Sequence, residues 1–162
     1  MSNYNTFYSK VCLMLMLSLS MFAVQAQTSL DDKVVFDRIA VEVGDKQLQL
    51  DYAHTFDQRA RGLMHRTSMC TDCGMLFEFE FERYAGFWMK NTFIPLDIAY
   101  VDGDGVIADI KPMFPHNLEP VPSSKKVLYA IEMNQGWFAR NQIEVGDKIA
   151  ILSRKEHDER GE

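Results

Sequence analysis

Residues 96–113 read LDIAYVDGDGVIADIKPM, two apolar runs separated by Asp102-Gly103-Asp104-Gly105. Asp-Gly between such runs is the strongest short signal for a hairpin, because glycine accepts the positive φ that tight turns demand. Residues 96–101 and 106–113 are therefore expected as antiparallel strands. Outward from them, residues 34–43, 47–52, 75–79, 85–89, 126–133 and 148–152 have the same β-branched or alternating character. Leu48, Leu50 and Tyr52 share one face, as in a half-buried strand. Eight short strands imply a mainly β fold, a compact β-sandwich or barrel-like single domain. One or two short helices interrupt it. Thr55-Phe56-Asp57-Gln58 is a capping box that opens a helix over 56–65 with Leu63 and Met64 reaching the core, and residues 136–141 allow one to two turns. Pro120 and Pro122 make 114–124 an extended loop, since neither offers the N–H a sheet ladder needs.

The chain has 162 residues, 47% hydrophobic and 25% charged, which is globular composition and excludes disordered and coiled-coil classes. Seventeen basic against 23 acidic side chains give a formal charge of −6, so no nucleic-acid partner is expected. Lys10, the apolar run 11–24 and Val24-Gln25-Ala26 have the form of a secretory signal over residues 1–26, cleaved after Ala26. The run falls short of the about 20 residues that span a bilayer. The expectation is a periplasmic or secreted monomer, residues 27–162 forming one domain with its core at about 34–152. Membrane contact would come only through the signal segment before cleavage, with retention as an anchor as the alternative.

Of three cysteines, Cys70 and Cys73 lie beyond that segment in a C-x-x-C spacing, and export favours their oxidation to a structural disulfide. A thiol oxidoreductase would place the pair at a helix N-terminus beside a βαβ unit, whereas the β-type stretch 75–79 follows here. A metal site completed by His65 lacks further ligands at local spacing. No metal and no cofactor are expected. Asp102 and Asp104 resemble a calcium loop without its sixth-position glycine or closing glutamate, so turn chemistry accounts for them better. Met64, Met69, Met75, Met89, Met113 and Met133 are irregularly spaced and read as core filling. Glu78, Glu80 and Glu82 alternate with Phe77, Phe79 and Phe81, the pattern of a strand with one wet face. His54, His116 and His157 are read as solvated.

RARGLM (59–64) with Arg66, Gly74-Met75-Leu76-Phe77, FWMKNT (87–92) and IPLD (94–97) form a distinctive set. Val127-Leu128, Glu132, Gly136-Trp137 and Val145-Gly146-Asp147 continue it into the tail. Together they resemble the exported bacterial and archaeal domain of unknown function family 192. The resemblance spans about residues 34–152. It implies a compact, mainly β sandwich with short helices and carries no established activity.

Read as chemistry, the same residues indicate a polar cluster. In an extended segment Trp88 and Lys90 share one face, while Phe87, Met89 and Asn91 share the other. Asp97 aligns with Ala99 and Val101, opposite Leu96, Ile98 and Tyr100, so both faces around it are apolar. A carboxylate there needs a cation or several donors, and Lys90, Arg59 and Arg66 are the candidates. In the functional reading Arg59, Arg66, Trp88, Lys90, Asn91, Asp97 and Glu132 line a pocket for a small polar ligand, a saccharide among the options. In the architectural reading Asp97 pairs with an arginine, Asn91 and Thr92 cap the turn before Pro95, and Trp88 is core. No G-x-S-x-G, H-E-x-x-H or phosphate-loop motif is present. A hydrolase or lyase using Asp97 or Glu132 as base with Lys90 as stabiliser is the enzymatic alternative, and an envelope interaction protein presenting the loop 114–124 is the third.

Overall fold

The computed structural model describes residues 34–155. The expected signal segment and His157 lie outside the described residues. Among those described, nine strands and two short helices follow in order. They are β1 (Asp37–Val43), β2 (Lys46–Ala53), α1 (Phe56–Arg61), β3 (Gly74–Arg83), β4 (Gly86–Phe87), β5 (Leu96–Val101), β6 (Ile107–Met113), β7 (Val121–Pro122), β8 (Val127–Asn134), α2 (Trp137–Arg140) and β9 (Ile149–Lys155).

Seven strands form one sheet in the order β6-β5-β8-β3-β2-β1-β9, and β4 pairs with β7 in a separate ribbon. Only β2 and β3 pair in parallel, because α1 and the loop after it carry the chain back to the same end of the sheet. The two edges meet at one end. Val106 bridges Lys148, and the Ile149 N–H donates to the Gly105 carbonyl at 2.8 Å. The sheet therefore curls into a half-barrel, the barrel-like form of the expected β fold.

Alternation along the strands gives the curl two apolar layers. Ile39, Val41, Leu50, Tyr52, Leu76, Val101 and Ile131 pack on one another inside it, with Trp137 and Phe138 of α2 filling the middle. Met75, Phe77, Leu96, Ile98, Tyr100 and Ala130 face outward and are covered by Leu63, Met89 and Ile94. Every residue of β5 is buried as a result. Met75, Met89, Met113 and Met133 are core, as their spacing suggested. Gly74 is required where β3 meets β8, since a Cβ there would lie 2.3 Å from the Glu132 carbonyl oxygen.

Local expectations hold where the signal is local. The Thr55 hydroxyl accepts from the Gln58 N–H at 3.2 Å and the Gln58 side chain accepts from the Thr55 N–H at 3.1 Å. The helix is shorter than expected. It ends at Arg61 because Gly62 takes φ 49°, outside the helical region, although Leu63 still reaches the core. In the 102–105 turn the Asp102 carboxylate accepts from the Val106 N–H at 2.9 Å, which is turn chemistry. Three expectations need correction. The in-out pattern of β3 stops near Glu78, where its pairing with β8 is interrupted, and Phe81 is 65% exposed. The loop at 114–124 contains β7, whose Pro122 is tolerated in a two-stranded ribbon. His54 is likewise not simply solvated, since it stacks on Tyr52 at 4.6 Å.

Cys70 and Cys73 form a disulfide with Cα atoms 5.1 Å apart. The loop it closes is tied to β8 and α2 by side chains: Asn134 of β8 donates to the Cys70 carbonyl and Trp137 Nε1 of α2 to Asp72, both at 2.8 Å. Chain-entropy stabilisation by so small a loop is about 2 kcal/mol. The Cys70→Ser/Cys73→Ser double variant should fold with its melting temperature lowered by less than about 10 °C, whereas two free thiols in the native protein would contradict the pairing.

Candidate functional site

The outward face of the sheet carries a row set by strand register: Asp51 of β2, Met75 of β3, Glu132 of β8 and Ile98 of β5. Two carboxylates thus share one apolar face, and their surroundings differ. Asp51 is gripped from both sides, by Arg38 at 2.7 Å and Arg66 at 2.6 Å. Glu132 is 4% exposed, and no hydrogen bond or ion pair joins it to another described residue. Burial pushes its carboxyl up to about 8, opposed only by the Arg66 charge. At neutral pH it is mostly protonated, so it is a neutral hydrogen-bond donor in an apolar layer.

Glu132 does not face closed core. It lines a narrow crevice whose other walls include Arg59, Phe77, Phe87, Trp88 and Thr92. The crevice shares Arg59, Ala60, Phe87 and Trp88 with a neighbouring cleft of about 240 Å³ between α1 and β4, which Phe56, Phe79 and Arg83 also line. Phe56 and Trp88 are 77% and 50% exposed, so the cleft has bare aromatic walls. Arg59 donates to the Glu78 carbonyl at 3.0 Å, and its guanidinium carbon lies 5.9 Å from the Phe79 ring centre. Arg83 flanks the same ring at 5.7 Å.

Of the seven site residues expected from sequence, the fold brings Arg59, Trp88 and Glu132 together in the crevice. Arg66 stands beside it, spent on Asp51. The alternation expected for 87–90 holds: Met89 is buried while Trp88 and Lys90 are exposed, and the Lys90 ammonium sits 5.4 Å from the Trp88 ring centre. Trp88 is therefore not core. Asn91 takes φ 53° in the turn, and its carbonyl accepts from the His65 N–H at 2.8 Å, a backbone role.

Asp97 departs from expectation. It pairs in register with Met133 and faces the inside of the curl, across the sheet from Glu132. None of the three proposed cations meets it among the described residues; its carboxylate accepts from the Gly136 N–H at 2.7 Å and so holds the turn into α2. A backbone donor supplies what the sequence reading sought from an arginine. The architectural ion pair exists, but its acid is Asp51. Asp51→Asn should cost about 1.5–3 kcal/mol through two weakened charged hydrogen bonds, read as a lower midpoint in urea; an unchanged midpoint would remove the pair from the account.

Sequence reasoning missed Phe56, Phe79 and Arg83. Phe56 carried a readable signal, an aromatic just inside a capped helix start whose one apolar partner three or four residues on is the small Ala60. Arg83 carried none, because its position depends on where β3 leaves the sheet.

Residues 39–151 match the DUF192 family, described as an uncharacterized ACR. Two crystal structures share the fold. A candidate transcription regulator of Sinorhizobium meliloti 1021 is 33% identical with a TM-score of 0.68, covering 74% of this chain and 97% of that one. A protein of unknown function from Novosphingobium aromaticivorans DSM 12444 is 34% identical with a TM-score of 0.64, covering 70% and 83%. No curated protein matches. With the family matched across the whole half-barrel, from β1 into β9, the chain belongs to DUF192.

Proposed function

We propose that this DUF192 domain is a binding module for a small polar ligand with a flat face, a hydroxylated ring such as a pyranose, held in the cleft between α1 and β4. The observation that carries the reading is Glu132, a buried carboxyl without a partner among the described residues, lining a crevice that adjoins this cleft. Burying such a group without a hydrogen bond costs free energy that a methionine or leucine there would not. A ligand hydroxyl in the crevice satisfies it. Trp88 and Phe56 supply the apolar surface on which a ring stacks, and Arg59 adds a charged donor. The cleft is smaller than the pockets of drug-sized ligands, which fits one ring.

The enzymatic alternative has less support. Asp97 lies on the opposite face and Lys90 on the exposed side of Trp88, so neither joins Glu132, and a single carboxyl does not make the acid and base pair of a glycosidase. Transcription regulation, the role attached to the S. meliloti neighbour, is also less supported. The formal charge is −6 and the described helices have six and four residues, too short for a major-groove reading helix. We place the domain outside the cytoplasm, in keeping with the Lys10-led apolar run and the Cys70–Cys73 bridge.

A panel of mono- and disaccharides, followed by amide chemical shifts, tests the reading. Shifts should concentrate on 56–60 and 86–92. Trp88→Ala should abolish them while lowering stability by no more than about 1–2 kcal/mol, since half the ring is already in water. Shifts confined elsewhere, or unaltered in Trp88→Ala, would overturn it.

A further inference from the structure

We infer that the ligand of this cleft is an anion, a ring bearing a carboxylate or phosphate, held through that group by Arg83 and Arg59. The inference rests on the binding reading above and narrows its ligand class. Its basis is a local reversal of charge. The chain as a whole is acidic, yet among the described residues the cleft is lined by Arg59 and Arg83 and by no acid, and the adjoining crevice has one acid, Glu132, which is neutral in its protonated form.

The cations are placed to act on an occupant. Arg83 is exposed, meets no carboxylate among the described residues, and is oriented by its contact with Phe79. Arg59 is anchored through one nitrogen to the His54 and Glu78 carbonyls, which leaves the rest of its planar fork for a ligand. The two guanidinium groups flank one ring, at 5.7 Å and 5.9 Å from its centre. Two guanidinium forks thus stand beside one ring of the cleft, and such forks suit carboxylate and phosphate oxygens. The protonated Glu132 of the adjoining crevice adds no repulsion, and Phe56 and Trp88 give a ring apolar surface in the cleft that holds both arginines.

Glucuronate and glucose differ at one carbon, a carboxylate against a CH₂OH, and glucose 6-phosphate adds the dianion. Titrations of the full chain purified after export should show glucuronate or glucose 6-phosphate binding at least tenfold more tightly than glucose. The preference should weaken as salt is raised. Arg83→Gln, an exposed position where folding is not at stake, should shrink it below threefold. Arg59→Gln should also shrink it and in addition weaken glucose binding and disturb α1. Equal affinities of the three sugars, with shifts in the cleft abolished by Trp88→Ala, would overturn the anion inference and leave the binding reading standing. Absence of cleft shifts with all three would overturn both.

Discussion

Glu132→Gln is expected to stabilise the protein by about 3–5 kcal/mol at pH 9 and by less than about 1 kcal/mol at pH 5. The sign follows from where the proton resides. In the folded state burial holds the Glu132 carboxyl up to about 8, whereas in the unfolded chain it has its ordinary value near 4.5. Between those values the native state binds a proton that the unfolded state has released. Stability contributed by this group is therefore complete below pH 4.5 and is lost as pH rises through 8, at about 1.4 kcal/mol per pH unit. Glutamine keeps the shape and never ionises, so the difference between the two stability curves isolates this one group. Urea unfolding from pH 5 to pH 9 measures it. Parallel curves would mean that Glu132 has a partner in solution. The same substitution replaces the carboxyl O–H in the crevice by an amide, so ligand affinity should fall at pH 6 even though the fold is intact there. Gain in stability with loss of binding is the signature of a group retained for its site.

Trp137→Ala should be the most damaging single truncation in the inner core. Trp137 is fully buried at the centre of the half-barrel, edge-on to Phe138 at 5.2 Å, and its Nε1 donates to Asp72 in the disulfide loop. Cutting it to alanine leaves a cavity that a curled sheet closed by its own edges cannot collapse around. A loss of about 3–5 kcal/mol follows, with a drop in melting temperature of about 10–20 °C. The substitution also cuts the tie between α2 and the 70–73 loop. Trp137→Phe, which keeps most of the volume and loses only the N–H, should recover more than half of the stability. If the alanine variant melts within 5 °C of the wild type, α2 does not plug the barrel as described.

These two residues show where the sequence was legible. The strands at 96–101 and 106–113, the Asp102 turn and the Thr55 capping box were readable because each depends on a few neighbouring residues. Fold class followed from counting such pieces. The face that Asp97 occupies was readable too, since alternation in β5 assigned it to the side of Ala99 and Val101. Its partner was not, because a backbone N–H from the turn before α2 leaves no mark on side-chain identity. For the same reason the arginine assigned to Asp97 belonged to Asp51, a pairing fixed by the parallel register of β2 and β3. Glu132 was a candidate only as one of the residues that carry the family resemblance. What distinguishes it, the crevice that it lines, arises only when α1, β4 and β8 are packed together.

The central claim is that Glu132 is a neutral, unpartnered carboxyl lining a crevice beside a ligand cleft. Carbon-13 NMR of the glutamate side-chain carboxyls, with the Glu132 signal identified by its absence in Glu132→Gln, tests it directly. The account predicts a midpoint near 8 in the free protein that moves when glucuronate is added. A midpoint near 4.5, unmoved by any sugar that binds the protein, would contradict it.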